Sequence, residues 1–389
     1  MQIQRRITQR SARLFAAGAA LLIAGAAVGC SSAQGRGGGD AESGKTDQAV
    51  IDAAADALEA ASTSATELPQ TEPLSGSVAG KKIVYLEAGF QTANLIGDRL
   101  VEAAEVLGME VQRVNIGLTP DTVAQGASEA VRLKPDAVMV VGFGPEFYQE
   151  QARALTDAGV PIVGLGYFGC DEVRIPCEGD QIAVLANTFG PPEGEAAGSL
   201  MASKVIVESE GDATIAYFGA PDLTMDQAVR SGFKSAIDEC AGCTVDYVDI
   251  QAQSIGTDLP AQIVSYLQSH PDTKWIAAQY GDLLIGVPQA LEAANIDGVQ
   301  IVSQSNSAAQ FENMETGGPI IMDVPAAYGY LAYVSADIIA RDLLGLEIDP
   351  ETIPQPERVL TKGDIDLSDD GFYPGVVGYE QQFAQLWTK

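Results

Sequence analysis

Short runs of β-branched and aliphatic residues alternate with segments of helical spacing from Ile83 onward, and this alternation constrains the fold more than any other feature. The run "KIVYL" (82–86) is typical of a buried strand. The segment after it repeats its apolar residues at helical spacing, at Ile96, Leu100, Ala103 and Leu107, and Gly108 offers a stop. The sequence therefore begins its ordered part with a β-α unit.

The same unit recurs along the chain in two series. The first continues with "MEVQRV", "DAVMVV" and "PIVGL", and the second contains "ATIAYF", "TVDYV", "KWIAA" and "VQIVS". Within the first series, Thr119 and Pro120 are a typical N-cap and first helical residue. Such alternation requires right-handed crossovers and covers both faces of a parallel sheet. About 300 residues exceed one comfortable core, so the sequence predicts an α/β protein of two doubly wound parallel-sheet lobes.

The first 29 residues have the features of an export signal. Arg5, Arg6, Arg10 and Arg13 form a basic leader before an apolar stretch, 14–28, that is short for a membrane span. The stretch ends in "AVGC", which resembles a bacterial lipobox and predicts cleavage after Gly29 and lipidation of Cys30. The alternative is a plain secretory signal with an incidental cysteine. Residues 1–29 are therefore predicted to be a lipoprotein signal peptide.

Charge excludes some partners. The chain carries 53 acidic residues against 22 lysines and arginines, a net charge of −31, and no acidic residue precedes Cys30. Nucleic acid is therefore not an expected partner. No second long apolar run follows the signal, so we expect an extracytoplasmic body held to the cell membrane by lipid on Cys30.

Residues 30–80 resemble a flexible tether. The segment "SSAQGRGGGD" is rich in glycine and serine, and "ELPQTEPLSGSVAGKK" is rich in turn-forming residues. Between them, "TDQAVIDAAADALEAAS" has the composition of one alanine-rich helix. The composition predicts no core in this segment.

The four cysteines beyond Cys30 fit an oxidising compartment. Cys170 and Cys177 enclose the loop "CDEVRIPC", and Cys240 and Cys243 form a C-x-x-C turn after a helix. Two local disulfides are predicted, Cys170–Cys177 and Cys240–Cys243. A redox site would place the first thiol at a helix N-terminus, and a zinc site would use more regular spacing; both remain alternatives.

Catalytic and cofactor motifs are weak. The single histidine, His270, lies in "SHPD" before a strand, and no G-x-S-x-G elbow accompanies it. The segment "GLGYFG" (164–169) matches a dinucleotide fingerprint, yet it follows a fourth strand and leads into the cysteine loop instead of a helix. No enzyme activity, cofactor or metal is predicted.

Residues 81–345 resemble the type I periplasmic binding proteins of ABC importers, in the sugar-binding branch related to ribose-binding protein. The strings that carry the resemblance include "RLKPDAVMVVGFGPEF", "LTDAGVPIVGLG", "RSGFKSAI" and "HPDTKWIAAQYGDLLIGVPQALEAANI". The resemblance implies two lobes joined by a three-strand hinge, with crossings near 183–187, 305–306 and 342. It assigns 81–184 plus 306–341 to the N-terminal lobe and 185–305 plus 342–389 to the C-terminal lobe. The C-terminal tail, residues 372–389, is expected to pack on the C-terminal lobe.

Ligands of such proteins bind beyond the carboxyl ends of the strands, where a solute favours the closed state through contacts with both lobes. The strand ends therefore supply the predicted ligand-binding residues, which are Phe90, Gln91, Thr92, Phe143, Tyr167, Asp222, Met225, Tyr280, Asp282 and Asn306.

The chain departs from its sugar-binding relatives at two places where they carry acidic pairs. Gly166-Tyr167 and Tyr280-Gly281 stand there, and Arg230 is displaced by one position from the arginine usual before "GF". The resemblance implies a sugar or polyol as ligand, whereas the kept aromatic residues and lost charges favour a less hydroxylated cyclic or aromatic compound. The expected partners are this small molecule and an ABC permease, with the protein a monomer. A receptor that signals to a membrane kinase is the alternative, and a secreted enzyme is the third, least favoured class.

Overall fold

Two five-stranded parallel sheets make up the frame in the part of the chain that the structure describes. This computed structural model describes residues 45–167, 169–221, 223–369 and 371–388, with the backbone alone for Gln91. The predictions for the signal peptide and Cys30 lie outside these residues.

The first sheet has the strand order β2-β1-β3-β4-β5. Its strands are β1 (Lys82–Ala88), β2 (Glu110–Gly117), β3 (Ala137–Val141), β4 (Ile162–Leu165) and β5 (Ala186–Asn187). Ile83 lies opposite Ala137 in the parallel register of β1 and β3. All of β3 is buried, as expected for a central parallel strand covered on both faces.

The second sheet has the order β10-β9-β8-β6-β7. Its strands are β6 (Asp212–Gly219), β7 (Gly242–Asp249), β8 (Trp275–Ala278), β9 (Gln300–Gln304) and β10 (Ile320–Val324). Ile215 lies opposite Trp275 where β6 pairs with β8. The two-lobed α/β prediction is thereby confirmed.

Helices cover both sheets. The helices of the first lobe are α2 (Gln91–Leu107), α3 (Pro120–Leu133), α4 (Gln149–Asp157), α10 (Tyr328–Leu344) and, packed outside α2 and α10, α11 (Tyr379–Trp387). Those of the second lobe are α5 (Pro191–Glu208), α6 (Asp226–Ile237), α7 (Leu259–Ser269), α8 (Val287–Ala293), α9 (Ala308–Glu315) and, packed on α5, α1 (Gln48–Ala60). The predicted cap at Thr119 is present, since its side chain accepts the N–H of Thr122.

The crossings differ from the predicted boundaries. The first follows β5, but the second comes after Val324 and not at 305–306, because residues 320–324 pair with β9 as a further strand of the second sheet. After α10 the chain returns to this sheet, where Leu360 pairs with Asp323. It then ends in α11, which packs on α10 and α2. Residues 306–324 therefore belong with the second lobe, and the tail belongs with the first.

The segment predicted as a tether packs on the body over its described part, 45–80. Helix α1 forms as expected, but it lies against α5 with Ala54 and Ala61 buried. Further along, Leu68, Leu74 and Val78 are buried, and the Leu74 N–H donates to the Leu386 carbonyl at 3.2 Å. The apolar residues between the prolines and glycines are thus enough to seat this segment, here called the arm, on both lobes.

Both predicted disulfides are confirmed, Cys170–Cys177 and Cys240–Cys243. Within the described ranges, no helix combines the length and apolar character that a membrane span needs. In the same ranges, no cluster of three or more histidine, cysteine or acidic residues is arranged to hold a metal ion.

Candidate functional site

The lobes meet through residues at the ends of their strands. Thr92 lies in the first turn of α2, directly after β1, and Tyr280 follows β8. The Thr92 and Tyr280 hydroxyls lie 3.1 Å apart, so a hydrogen bond crosses the interface. Burial raises the pKa of Tyr280 well above its usual range. Two predicted ligand residues therefore contact each other in this structure.

Asp282, two residues after Tyr280, lies in the same polar group. Burial raises the pKa of its carboxyl, and a hydrogen bond with Tyr280 opposes that rise. Tyr328, at the start of α10, is buried next to these residues. The group lies where the chain crosses back from the second sheet to the first.

Asn306 anchors the end of β9. Its backbone N–H donates to the Asp323 carboxylate at 3.2 Å, and the Ser303 hydroxyl donates to its side-chain oxygen at 3.1 Å. The residue is buried, and its Nδ2 has no partner. The backbone N–H and the side-chain oxygen of Asn306 thus hold the end of β9, and its side-chain NH₂ is the group that could bind a ligand.

Phe90 and Phe143 form an aromatic surface on the first lobe. Phe143 packs edge-to-face on Phe147 with ring centroids 5.2 Å apart. Phe90 is half-buried and lies over Gly142 at the end of β3. This surface is apolar, in contrast to the tyrosine and carboxylate group of the second lobe.

Tyr167 and Met225 pack inward. Tyr167 is fully buried, and its hydroxyl donates to the Cys170 carbonyl at 3.5 Å. A Cβ at Gly164 or Gly169 would lie 2.1 or 2.2 Å from its ring, so these glycines of "GLGYFG" make room for a tyrosine. The Met225 methyl group lies against Gly194 of α5. Asp222 falls outside the described residues, and the Gln91 side chain is not described.

A cavity of about 950 Å³ opens between the lobes. The segments that follow β3, β4 and β6 line it, together with Asp249 at the end of β7. None of the eight predicted ligand residues whose side chains the structure describes is part of this lining. The polar lining from the first lobe consists of Glu146, Gln149, Arg153, Asp180 and Gln181. The polar lining from the second lobe consists of Thr224, Asp226, Gln227, Arg230 and Asp249.

Arg230 is the centre of the second-lobe wall. Its guanidinium is 3.0 Å from the Asp226 carboxylate and 2.7 Å from that of Asp249. It also lies over the rings of Tyr217 and Tyr247, 5.3 and 5.6 Å from their centroids. Burial raises the pKa of Asp226, although Arg230 opposes the rise. Because these contacts fix the planar guanidinium, its position in the cavity is set before any ligand arrives.

Glu146 faces this wall from the first lobe. It follows β3 in a short turn before α4 and remains accessible to solvent. Partial desolvation raises the pKa of its carboxyl. The cavity thus presents carboxylates from both lobes, together with arginine and amide groups, and such groups bind hydroxyls through charge-assisted hydrogen bonds.

The sequence offered one signal for this wall, the arginine in "RSGF". Apart from Asp249 at the end of β7, the other lining residues stand two or more positions beyond the strand ends, where spacing alone does not indicate orientation. Strand-end residues such as Tyr167 turned into the core instead.

Comparisons with known proteins agree with this architecture. The family model described as "Periplasmic binding protein domain" matches residues 85–342. No curated protein matches the chain.

Solved structures share the fold at low identity. An ABC sugar transporter subunit from Rhodobacter sphaeroides is 17% identical, with a TM-score of 0.65 over 74% of this chain and 100% of its own. An ABC transporter solute-binding protein from Agrobacterium vitis, bound with alpha-D-tagatopyranose, is 16% identical with a TM-score of 0.64 over 76% and 99%. A periplasmic ribose ABC transporter protein from Conexibacter woesei is 18% identical with a TM-score of 0.55 over 74% and 93%.

The family match spans most of the two-lobed body, and the arm and the tail lie outside it. The chain belongs to the periplasmic binding protein family, whose members are extracytoplasmic ligand-binding proteins.

Proposed function

We propose that this protein binds a sugar or polyol between its lobes, at the surface of the cell membrane, and delivers it to an ABC permease. The observation that carries the proposal is the cavity of about 950 Å³, which both lobes line with charged and amide side chains. A ligand that touches both walls favours the closed state over the open one, and this difference is what a permease can detect.

The lining favours a hydroxylated ligand over an aromatic one. The sugar-binding relatives carry acidic residues where this chain has 166–167 and 280–281. In this cavity Glu146 and Asp226 supply carboxylates instead, and Arg230 lies beside Asp226. Each carboxylate oxygen accepts hydrogen bonds, and arginine donates them, so neighbouring sugar hydroxyls find both kinds of partner. Solved relatives of this fold hold tagatopyranose and allitol, both polyhydroxylated.

Membrane attachment is the second part of the proposal. Lipid on Cys30 would place the body close to the permease and raise its local concentration there. The described arm begins at Lys45 and is fixed to both lobes, which leaves a short stretch after Cys30 as the link to the membrane.

Titration calorimetry with pentoses, hexoses and their polyols tests the ligand class. We expect at least one to bind the purified protein, and Glu146→Gln to weaken it by about tenfold because a charge-assisted hydrogen bond is lost. Glu150→Gln is the matched control, since it changes an exposed carboxylate of α4 outside the cavity lining. The proposal fails if no sugar or polyol binds, or if both variants bind like the wild type.

A further inference from the structure

The loop between β4 and β5 is a preformed element of the first lobe. The disulfide Cys170–Cys177 closes it, and the carboxylate of buried Asp171 holds its backbone. One oxygen of Asp171 accepts the N–H groups of Val173 at 2.9 Å and Ile175 at 3.1 Å. The other accepts the N–H of Asn187 at 3.1 Å, which ties the loop to β5.

Both ends of this loop form one wall of the cavity. Gly169 and Cys170 line it from the start of the loop, and Asp180, Gln181 and Ile182 line it from the end. The Arg153 side chain of α4 donates to the Asp180 carbonyl at 3.4 Å, so the end of the loop is also fixed to the body. The Asp180 and Gln181 side chains are exposed, and the second-lobe wall contains Arg230.

The same loop contacts the second lobe. The Arg174 guanidinium lies 2.7 Å from the Glu193 carboxylate in the first turn of α5, and both side chains are about nine-tenths buried. The second oxygen of Glu193 accepts the Gly190 N–H at 2.6 Å. Because Glu193 follows the first crossing, the loop is positioned by both lobes.

We infer that residues 169–182, here called the cystine loop, are the ligand-selecting wall of the cavity, and that the Cys170–Cys177 disulfide holds them in the binding position. The inference rests on the proposed function and adds the element that sets specificity. Asp180 presents a carboxylate to ligand hydroxyls, and Gln181, whose side-chain oxygen accepts the Glu178 N–H at 2.8 Å, presents its amide NH₂. The loop therefore discriminates between sugars by where those hydroxyls lie. Opening the disulfide frees the wall and lowers affinity.

An isosteric pair of variants tests the wall. Asp180→Asn removes a carboxylate that lines the cavity, and Glu178→Gln removes an exposed carboxylate of the same loop that does not. We expect Asp180→Asn to weaken the best-bound sugar by about tenfold and to change the ratio of affinities between sugars, with the melting temperature unchanged. Glu178→Gln should keep both the affinity and the ratio.

The two disulfides provide a second matched pair. Cys170→Ser/Cys177→Ser opens the cystine loop, whereas Cys240→Ser/Cys243→Ser opens a turn of the second lobe that does not line the cavity. Calorimetry should show weaker binding and an altered sugar ratio in the first double variant only. Equal affinities and ratios in all variants and the wild type would overturn the role of the loop.

The ligand class and the role of the loop are separated by also incubating the protein with a metabolite extract and identifying retained small molecules by mass spectrometry. A sugar held equally well by every variant contradicts the loop inference and leaves the ligand class standing. A compound without sugar hydroxyls that is lost in Asp180→Asn and in the first double variant contradicts the ligand class and supports the loop. Retention of nothing by the wild type overturns both.

Discussion

Tyr280 and Thr92 connect the lobes through a single hydrogen bond, which is worth about 1 kcal/mol in typical proteins. In the absence of ligand, such a bond favours the arrangement of the lobes in which it forms, over more open ones that separate the two hydroxyls. A bias of this size changes a two-state ratio by about fivefold.

We therefore expect Tyr280→Phe to shift the ligand-free protein toward open forms. Fluorophores placed on the two lobes report this as a longer mean distance in the variant. Tyr266→Phe is the control, because it removes a hydroxyl that donates to Asp246 inside the second lobe. An unchanged distance in Tyr280→Phe would show that the bond does not hold the lobes.

Asp323 makes the stability of the folded protein depend on pH. Its carboxyl is fully buried in β10, and burial raises its pKa well above the ordinary value of about 3.9. The folded state therefore keeps a proton that the unfolded state releases. Stability falls as the pH rises from about 4 toward the raised pKa of the folded state.

Asp323→Asn should remove this dependence, because asparagine does not titrate. Denaturant titrations at about pH 5 and about pH 8 should show the variant gaining stability relative to the wild type at the higher pH. Asp272→Asn changes an exposed aspartate and serves as the control. A constant difference between Asp323→Asn and the wild type would contradict the assignment.

Among the elements, the strands of both sheets were the most predictable from sequence. Eight predicted runs correspond to strands. Central strands such as β3 come from continuous apolar runs, which suit a strand buried on both faces, whereas the edge strands β2 and β7 come from runs that mix polar and β-branched residues. Strand β10 and the crossing after it were missed, whereas β5 lies within the crossing that the resemblance placed near 183–187. Residues 320–324 have a strand-like composition, but the sheet that accepts them is decided by long-range pairing with β9.

The packing of the arm likewise depends on long-range contacts that the local sequence does not indicate. Its helix was predicted from alanine content, but its packing on α5 depends on a surface supplied by residues far along the chain. Thr46 is a particular case, since its hydroxyl donates to the Gly211 carbonyl at 2.6 Å and accepts the Gly242 N–H at 3.0 Å. No local pattern around Thr46 indicates these partners.

We expect Thr46→Val to lower the free energy of unfolding by about 2 kcal/mol, since two hydrogen bonds are lost without a change of shape. Loss of arm docking should also raise the protease sensitivity of α1. Thr63→Val, an exposed position of the same arm, is the control and should behave as the wild type. Equal stability of the two variants would indicate that Thr46 does not fix the arm.

The whole molecule has more connections between its lobes than the three crossings predicted. The arm runs from α1 on the second lobe to Leu74 on the first, and the Val359 N–H donates to the Ala61 carbonyl along the way at 2.8 Å. The tail returns to the first lobe, where the Trp387 indole donates to Asp337 at 2.8 Å. These links restrict the directions in which the lobes move.

The position of the candidate site depends on how the two lobes are arranged in the whole molecule. Sequence placed the ligand between the lobes, and a cavity lies there between Glu146 and Arg230, but its lining contains none of the predicted residues whose side chains the structure describes. The difference arises because the relative orientation of two lobes depends on all their contacts together, and no single strand end encodes it.

The most direct test is a crystal structure of the protein with the sugar or polyol that binds it most tightly. The ligand should lie in the cavity between the lobes, with hydroxyls within hydrogen-bond distance of Glu146 on one lobe and Asp226 or Arg230 on the other. A ligand that touches one lobe only, or that lies outside this cavity, would contradict the account.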